Sequence, residues 1–384
     1  MTAPLATRRT ERSTPAMRGG QRNPGATNPR RRTSRPIVRA AWAKSRDVLL
    51  TGMDSVSRRG VTAGLRHPLV SLDIVDEPQQ LNPAQQRTLA LLRRSAEPTL
   101  FDAELVSDLR DEANEAFAHF SDRLDGHTLF VTKHTLASVH DCEVHFLAPD
   151  DFEWTPARAR GQVAHKAIQL MLNWRGEPSP RELVDEALAR LGDEERDFGR
   201  WIAALSPGDE ADLRGQAVER VSKFAECFPP LDVRSNPVTE SAAQWPLDHP
   251  ILLRARVDLV MGRPQGRESR KVIIDLKTGR VSQRHREDLR FYALVETLVR
   301  DVPPRKLATF YLDSAQPIVE DVTEGVLRTA LRRTLDGIHR LIQLQIEGEV
   351  AIKKPGISCR WCPYRGECIE GQTYLRGGDD EIEP

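Results

Sequence analysis

Two short segments of alternating residues, separated by a glycine-containing loop, most strongly constrain how this chain folds. Residues 251–260 read ILLRARVDLV, so apolar residues alternate with Arg254, Arg256 and Asp258. Residues 271–277 read KVIIDLK, and the intervening GRPQGRESR contains the glycines and the proline typical of a hairpin loop. Because successive side chains of a strand point to opposite faces, the pattern predicts two antiparallel strands.

The symmetry of this hairpin predicts that two carboxylates meet. The loop is centred near residue 266, and Asp258 and Asp275 are equally distant from that centre on opposite strands. They should therefore be cross-strand neighbours on one face. Adjacent like charges repel unless a cation lies between them. Lys277, two residues beyond Asp275, is expected to project from the same face.

Two carboxylates and an ammonium group are what metal-assisted hydrolysis of a phosphodiester requires. Carboxylate oxygens are the hard ligands that Mg²⁺ or Mn²⁺ prefers. The cation lowers the pKa of its bound water and neutralises developing charge, while Lys277 orients the nucleophile or adds charge stabilisation. The alternative is a solvated polar face of an antiparallel sheet, on which Asp258, Asp275 and Lys277 have no catalytic role.

The order of these three residues resembles a known family motif. Asp258, followed by Asp275-Leu-Lys277, is similar to the motif of PD-(D/E)XK nucleases, with Val257 in place of the proline. The Lys-Thr-Gly ending resembles the RecB-like branch. This resemblance, over roughly residues 130–372, implies a metal-dependent nuclease with Asp258 and Asp275 as metal ligands and Lys277 as a catalytic group.

Motifs outside the hairpin extend the resemblance. Gly161 and His165 match the G-x-x-x-H motif of that branch, which implies that His165 is a further metal ligand; a structural histidine is the alternative. Tyr292 matches the tyrosine of the family's Q-x-x-x-Y motif and is a candidate catalytic residue, or a core aromatic. Asp288 replaces the glutamine of that motif. Glu240 has a counterpart in some relatives and is expected to support the metal ligands.

Three cysteines near the C-terminus form a second candidate site. Cys359, Cys362 and Cys368 follow a C-x2-C-x5-C spacing and offer three soft ligands within ten residues. A tetrahedral site needs a fourth ligand, for which Cys142 and Cys227 are the candidates.

A resemblance selects between these two cysteines. The segment KHTLASVHDCEVHFL around Cys142 resembles the first helix of iron–sulfur RecB-like nucleases, including AddB-type and CRISPR-associated relatives. In that group one cysteine precedes the nuclease core and three follow it. The resemblance implies a [4Fe–4S] cluster held by Cys142, Cys359, Cys362 and Cys368. Zinc, or cysteines without metal, are the alternatives, and Cys227 is expected to be an apolar filler.

The order of helical and strand patterns predicts an α/β fold. We expect a restriction-endonuclease-like core, with a central mixed β-sheet flanked by helices, a helical N-terminal extension and a disordered basic tail. The predicted divisions are an Arg-rich tail at 1–80, the helical extension at 81–128, the nuclease domain at 129–372 and an acidic tail at 373–384. Within the domain, Cys142 is expected inside a helix from about 135 to 147.

The N-terminal tail carries most of the charge asymmetry of the chain. Residues 1–46 contain twelve basic residues and one acidic residue, Glu11. Such a segment cannot bury apolar surface and is expected to be disordered. One interpretation is a segment without function, either a solvated tail or the result of a misassigned start codon. The other is an arm that binds phosphates non-specifically. It also resembles an organelle transit peptide.

Composition and the absence of one motif exclude several classes of protein. No apolar run approaches the length of a membrane span, and five cysteines exclude a dense disulfide scaffold, so we expect a cytoplasmic protein without a membrane partner. No GxxxxGK[ST] loop is present, so the chain has no motor of its own. The sequence therefore predicts a metal-dependent DNA nuclease, an exonuclease in repair or recombination, with a separate helicase subunit as a possible partner.

Two other functions fit the same motifs. One is a non-catalytic DNA-binding or scaffold subunit of a helicase–nuclease complex, in which the acids are vestigial. The other is a CRISPR-type spacer-processing nuclease, which would use the same chemistry.

Overall fold

The computed structural model describes residues 80–149, 152–231 and 235–379. The Arg-rich tail and the last acidic residues predicted from the sequence lie outside these ranges. The elements follow in the order α1 (Pro83–Leu92), α2 (Leu105–Ser121), β1 (Leu129–Val131), α3 (Lys133–His140), α4 (Glu143–Phe146), α5 (Pro156–Met171), α6 (Pro180–Glu194), α7 (Arg196–Ala203), α8 (Pro207–Cys227), β2 (Val238–Trp245), β3 (Ile251–Met261), β4 (Val272–Lys277), α9 (Gln283–Arg300), β5 (Lys306–Tyr311), β6 (Gln316–Asp321), α10 (Glu324–Gln345) and α11 (Ile369–Asp379).

Several helices begin where a polar side chain caps the backbone. Ser179 accepts a hydrogen bond from the amide of Glu182, whose carboxylate bonds back to the Ser179 amide. Thr155 caps α5 in the same way, and a proline follows directly as the first helical residue. These caps satisfy amides that have no partner inside the helix, so the sequence itself sets the starts of α5 and α6.

The strands form one mixed sheet in which β3 has three partners. β2 pairs antiparallel to β3, β1 parallel to it and β4 antiparallel to it, while β5 pairs parallel to β4 and β6 antiparallel to β5. Leu253 pairs with both β1 and β2, and Leu259 pairs with both β2 and β4. A strand residue has only two edges, so β1 and β4 must lie on the same edge of β3, opposite β2.

Helices cover the sheet on both faces. Leu259, Ile274 and Phe310 pack into a core with α5, α6 and α8, where the rings of Phe224 and Phe310 meet edge to face with centroids 5.5 Å apart. α9 contacts strands β2 to β5 and is backed by α10, α3 and α2. Residues 272–276 are all buried, so β4 has no solvated face, but Val272, Ile274 and Leu276 share the face that packs into this core. The architecture is the helix-flanked mixed sheet predicted for a restriction-endonuclease-like fold.

The predicted N-terminal extension packs on this core. α2 contacts α9 and α10, and Arg110 donates to the carbonyl of Leu298 at the end of α9. α1 contacts α8, where Asn82 donates to the carbonyl of Glu226. The boundary at residue 128 stays a prediction.

The structure corrects one local expectation. Cys142 lies between α3 and α4 rather than inside one helix, because Asp141 leaves the helical conformation with φ −86° and ψ −137°. The edge strand β6 precedes α10, which begins at Glu324 after its cap Thr323. At the C-terminus, α11 continues through 379, and the boundary at 372 also stays a prediction.

Among the described residues, no helix combines the length and apolarity that crossing a bilayer demands.

Gly337 allows α10 to approach α3 closely. A Cβ at this position would lie 2.5 Å from Cδ2 of Leu136 and 3.1 Å from Nε2 of His140. Gly192 in α6 is a matched control, because a Cβ there meets no atom within 4 Å. We expect Gly337→Val to destabilise the protein by about 1–3 kcal/mol through overpacking, and Gly192→Val to be near neutral. Thermal unfolding of the two variants checks this, and equal melting temperatures would contradict the close crossing.

Candidate active site

The candidate site lies where two strands meet end to end on one edge of β3. β1 is parallel and β4 antiparallel to β3, so their carboxyl ends face each other along this edge. The ladder of β1 ends at Leu253 of β3, and that of β4 reaches back only to Leu259. The last residues of β4, Asp275 and Lys277, therefore approach Lys133, which follows β1.

The hairpin register is the one that the sequence predicts. Leu259 pairs with Ile274, so one further step places Asp258 opposite Asp275. There the strands separate, and Oδ2 of Asp258 accepts a hydrogen bond of 2.7 Å from the amide of Leu276. Oδ1 of Asp258 lies 3.7 Å from Nδ1 of His165. Burial opposes the charge of Asp258, but the attraction of His165 and Lys133 and the hydrogen bond from Leu276 prevail and lower its pKa to about 2.

Asp275 is fully buried and lies between two lysines. Nζ of Lys133 is 3.1 Å from Oδ1, and Nζ of Lys277 is 2.7 Å from Oδ2. Both oxygens of this buried carboxylate therefore contact ammonium groups, and the contact of Lys277 is an ion pair without hydrogen-bonding angles. A buried carboxylate that depends on cationic partners suits a ligand of a cation.

The helix α9 supplies the next layer of the site. Asp288, the replacement for the family glutamine, places Oδ2 3.7 Å from Nζ of Lys277. Its pKa is raised because burial outweighs the attraction of Lys133 and Lys277. Tyr292 is buried, and Nζ of Lys133 lies 4.8 Å from its ring centroid. Burial likewise raises the pKa of the Tyr292 hydroxyl. Tyr292 thus contacts a lysine of the site rather than an open surface.

Gly161 explains how His165 reaches the hairpin. A Cβ on Gly161 would lie 3.1 Å from Oγ1 of Thr278, the residue after Lys277, so only glycine lets α5 come this close. His165 is one turn further along α5 and shares the same face. Burial opposes protonation of His165, but the carboxylate of Asp258 prevails and raises its pKa.

Glu240 borders the site from β2. The β2–β3 register places it opposite Asp258, on the other edge of β3 from Asp275. Its φ of +52° lies in the left-handed region, which is strained for a glutamate inside a strand. Its carboxylate is 2.7 Å from Nε of Arg256, and burial raises its pKa.

Two residues of the site were not predicted from the sequence. Lys133 gave no local signal, because its position depends on the parallel pairing of β1 with a strand more than a hundred residues later. His285 lies on α9, where Nδ1 is 3.0 Å from the hydroxyl of Tyr311. Burial and the charge of Lys277 lower the pKa of His285 to about 4. Tyr311 is the register partner of Lys277 on β5, which brings His285 near this lysine.

The donor set fits a divalent cation in its chemistry. Asp258, Asp275 and His165 offer carboxylate and imidazole ligands, and His165 lies 3.7 Å from Asp258. However, within residues 80–149, 152–231 and 235–379, no three His, Cys, Asp or Glu side chains are arranged so that they could hold a metal ion. At the hairpin, the ammonium groups of Lys133 and Lys277 contact both oxygens of Asp275.

The predicted cysteine ligands come together at the other end of α3. Sulfur atoms of Cys359 and Cys368 both lie against Gly371, where a Cβ would be 3.3 Å and 3.4 Å away, respectively. Burial raises the pKa of Cys362, and the neighbouring thiols of Cys142, Cys359 and Cys368 raise it further. All five cysteines of the chain, Cys227 included, have free thiols.

Backbone amides point at two of these sulfurs. The amide of Gly356 donates to Sγ of Cys359, and that of Gly371 to Sγ of Cys368, both at 3.4 Å. Such bonds stabilise thiolate ligands of iron–sulfur clusters. The four thiols, gathered by proximity and supplied with amide donors, therefore suit a metal centre in their chemistry, although their present arrangement is not that of a ligand set.

An ion pair fixes Cys142 near the C-terminal cysteines. The carboxylate of Glu143, the next residue, accepts two hydrogen bonds of 2.7 Å from Arg340 and one of 2.6 Å from the amide of Ile352. The amide of Glu143 donates to the carbonyl of Ile352. The two hydrogen bonds of Ile352 thus join the segment that leads to Cys359 to α4, and the bidentate pair joins α4 to α10.

The raised pKa of His165 predicts a pH dependence of folding stability. A group whose pKa is higher in the folded than in the unfolded protein stabilises the fold below its unfolded pKa of about 6.5, and this contribution is lost as the pH rises through the folded pKa. For EDTA-treated protein, we expect the melting temperature to fall more steeply between about pH 6 and pH 9 than it does for His165→Gln. Parallel pH profiles would contradict the ion pair with Asp258.

The region that contains this site matches a known protein family. Residues 133–369 match the family model of the PD-(D/E)XK nuclease superfamily. No curated protein matches the chain. The matched region covers more than half of the 384 residues and includes the hairpin, His165 and the four predicted cysteine ligands. The chain therefore belongs to the PD-(D/E)XK nuclease superfamily.

Proposed function

We propose that the protein is a Mg²⁺- or Mn²⁺-dependent deoxyribonuclease that acts as an exonuclease in DNA repair or recombination. The observation that carries this proposal is the meeting of Asp258, Asp275 and Lys277 at the divided edge of β3, where the fully buried carboxylate of Asp275 is held by cationic groups. The superfamily consists generally of nucleases that hydrolyse phosphodiesters with a divalent cation, which supports the same chemistry.

In this proposal, each side chain of the site has a separate role. Asp258, Asp275 and His165 would hold the cation, which when bound supplies an acidified water and charge neutralisation. Lys277 orients the attacking water or stabilises negative charge on the phosphate. The carboxylate of Asp288, 3.7 Å from Lys277, attracts this amine and directs it towards the site, a task that the family glutamine would perform without charge.

We further propose that the chain belongs to the RecB-like branch. Three features support this assignment: the Lys277-Thr-Gly segment, the Gly161-x-x-x-His165 helix that packs against it, and the cysteine positions. This branch works with helicases, so a separate helicase subunit is the expected protein partner.

Substitution of Asp275 tests the nuclease proposal. We expect Asp275→Asn to lower the rate of DNA hydrolysis at least about a hundredfold, because the amide loses the charge that holds the cation. Asp321→Asn is the matched control, since this exposed aspartate at the end of β6 pairs only with Lys306 among the described residues, and it should leave the rate unchanged. Release of acid-soluble nucleotides with Mg²⁺ or Mn²⁺ is the measurement.

The same assay distinguishes the alternatives. Degradation of linear but not of covalently closed circular DNA supports an exonuclease, and cleavage of the circle contradicts that part of the proposal. A wild-type protein that binds DNA but does not cleave it with either cation would instead indicate a non-catalytic subunit. Wild-type rates in Asp275→Asn would show that the site is assigned to the wrong residues.

We also propose that Cys142, Cys359, Cys362 and Cys368 bind a [4Fe–4S] cluster. The gathered thiols and the two amide–sulfur bonds support it. Cysteines 142 and 359 are more than two hundred residues apart, so a cluster would close a long loop and stabilise the fold.

The iron and sulfide content of anaerobically purified protein tests the cluster. We expect visible absorption and iron in the wild type, with both lost in Cys362→Ser and both retained in Cys227→Ser, because Cys227 packs against the helical core instead. Cys362→Ser should also lower the melting temperature, since it removes one metal–thiolate bond. If the wild type contains stoichiometric zinc and no sulfide, the four cysteines bind zinc rather than an iron–sulfur cluster.

A further inference from the structure

Lys133 belongs to none of the sequence motifs that indicate the family. It is the first residue of α3, and β1 directs it to the divided edge of β3. Its Nζ lies 3.1 Å from Oδ1 of the fully buried Asp275 and 4.8 Å from the ring centroid of Tyr292. Nothing in the hairpin chemistry requires a second lysine, because Lys277 already contacts the other oxygen of Asp275.

The surroundings of Lys133 are those of a cation site. The carboxylates of Asp275, Asp258 and Asp288 all attract its ammonium group. Oδ1 of Asp275 can contact only a few partners at once. An ammonium group on this oxygen therefore competes with a divalent cation for the same oxygen. A groove lined by Lys133, Asp288, Arg284 and other residues of α3, α9 and α10 lies directly beside it.

We propose that Lys133 competes with the divalent cation for the carboxylate of Asp275. Its ammonium group contacts this buried carboxylate while no divalent cation is bound, and it leaves the carboxylate when the cation binds. This inference rests on the proposed metal site at Asp258 and Asp275. It explains why the oxygens of Asp275 are directed into the site and yet engaged by amines.

The competition has a consequence that a purely structural lysine would not have. Removal of a structural contact disorders Asp275 and weakens cation binding. Removal of a competing cation leaves the carboxylate with more negative potential and strengthens binding. The direction of the change in metal affinity therefore separates the two roles.

Calorimetric titration of the full chain with Mn²⁺, without DNA, is the test. We expect Lys133→Met to bind Mn²⁺ at least about tenfold more tightly than the wild type, because one positive charge close to the cation is lost. Lys133→Arg retains the charge and should stay within about threefold of the wild type. Lys306→Met is the control, since Lys306 pairs with Asp321 at the opposite end of β5.

Thermal unfolding gives a second readout on the same proteins. Saturating Mn²⁺ should raise the melting temperature of Lys133→Met by more than that of the wild type, because tighter binding to the folded state stabilises it more. Unchanged or weaker Mn²⁺ binding by a folded Lys133→Met protein would overturn the role of Lys133 and leave the proposed metal site intact. If neither protein binds Mn²⁺, both the proposed metal site and the proposed competition are wrong.

Discussion

A fully buried carboxylate between two ammonium groups is the interaction on which the rest of the site depends. Asp275 has no exposed surface, so its charge is tolerated only because Lys133 and Lys277 approach from two sides. Removing a charge from water costs several kcal/mol, and attraction to close partners repays it only when the geometry is good. The positions of β1, β4 and α3 are therefore tied to one another through this single side chain.

The divided edge of β3 creates this geometry. A continuous strand along that edge would fill it with backbone hydrogen bonds, and the side chains of Asp258 and Asp275 would meet as ordinary cross-strand neighbours. Instead the carboxylate of Asp258 takes the amide of Leu276 as its partner, where the ladder with β4 stops. One side chain thus ends the strand pairing and presents its second oxygen to His165.

Local symmetry and motif spacing made part of this structure predictable. The hairpin register, with Asp258 opposite Asp275, followed from the turn residues and the alternation on either side of them. Lys133 and β6 did not follow, because Lys133 depends on a parallel pairing across a long crossover, and β6 carries a proline and charges on an edge. Cys142 was expected inside one helix, but the backbone leaves the helical conformation at Asp141.

The distance along the chain between Lys133 and Asp275 has a consequence for how the molecule forms. The two residues are 142 positions apart, so the β3–β4 hairpin can assemble well before α3 reaches it. In a hairpin formed alone, water solvates Asp275, but burial of this carboxylate with only Lys277 as its counter-charge would be expensive. Docking of the early segment onto the late one relieves that cost. Charge neutralisation therefore makes completion of the reactive centre and closure of the whole domain one cooperative event, rather than two separate steps.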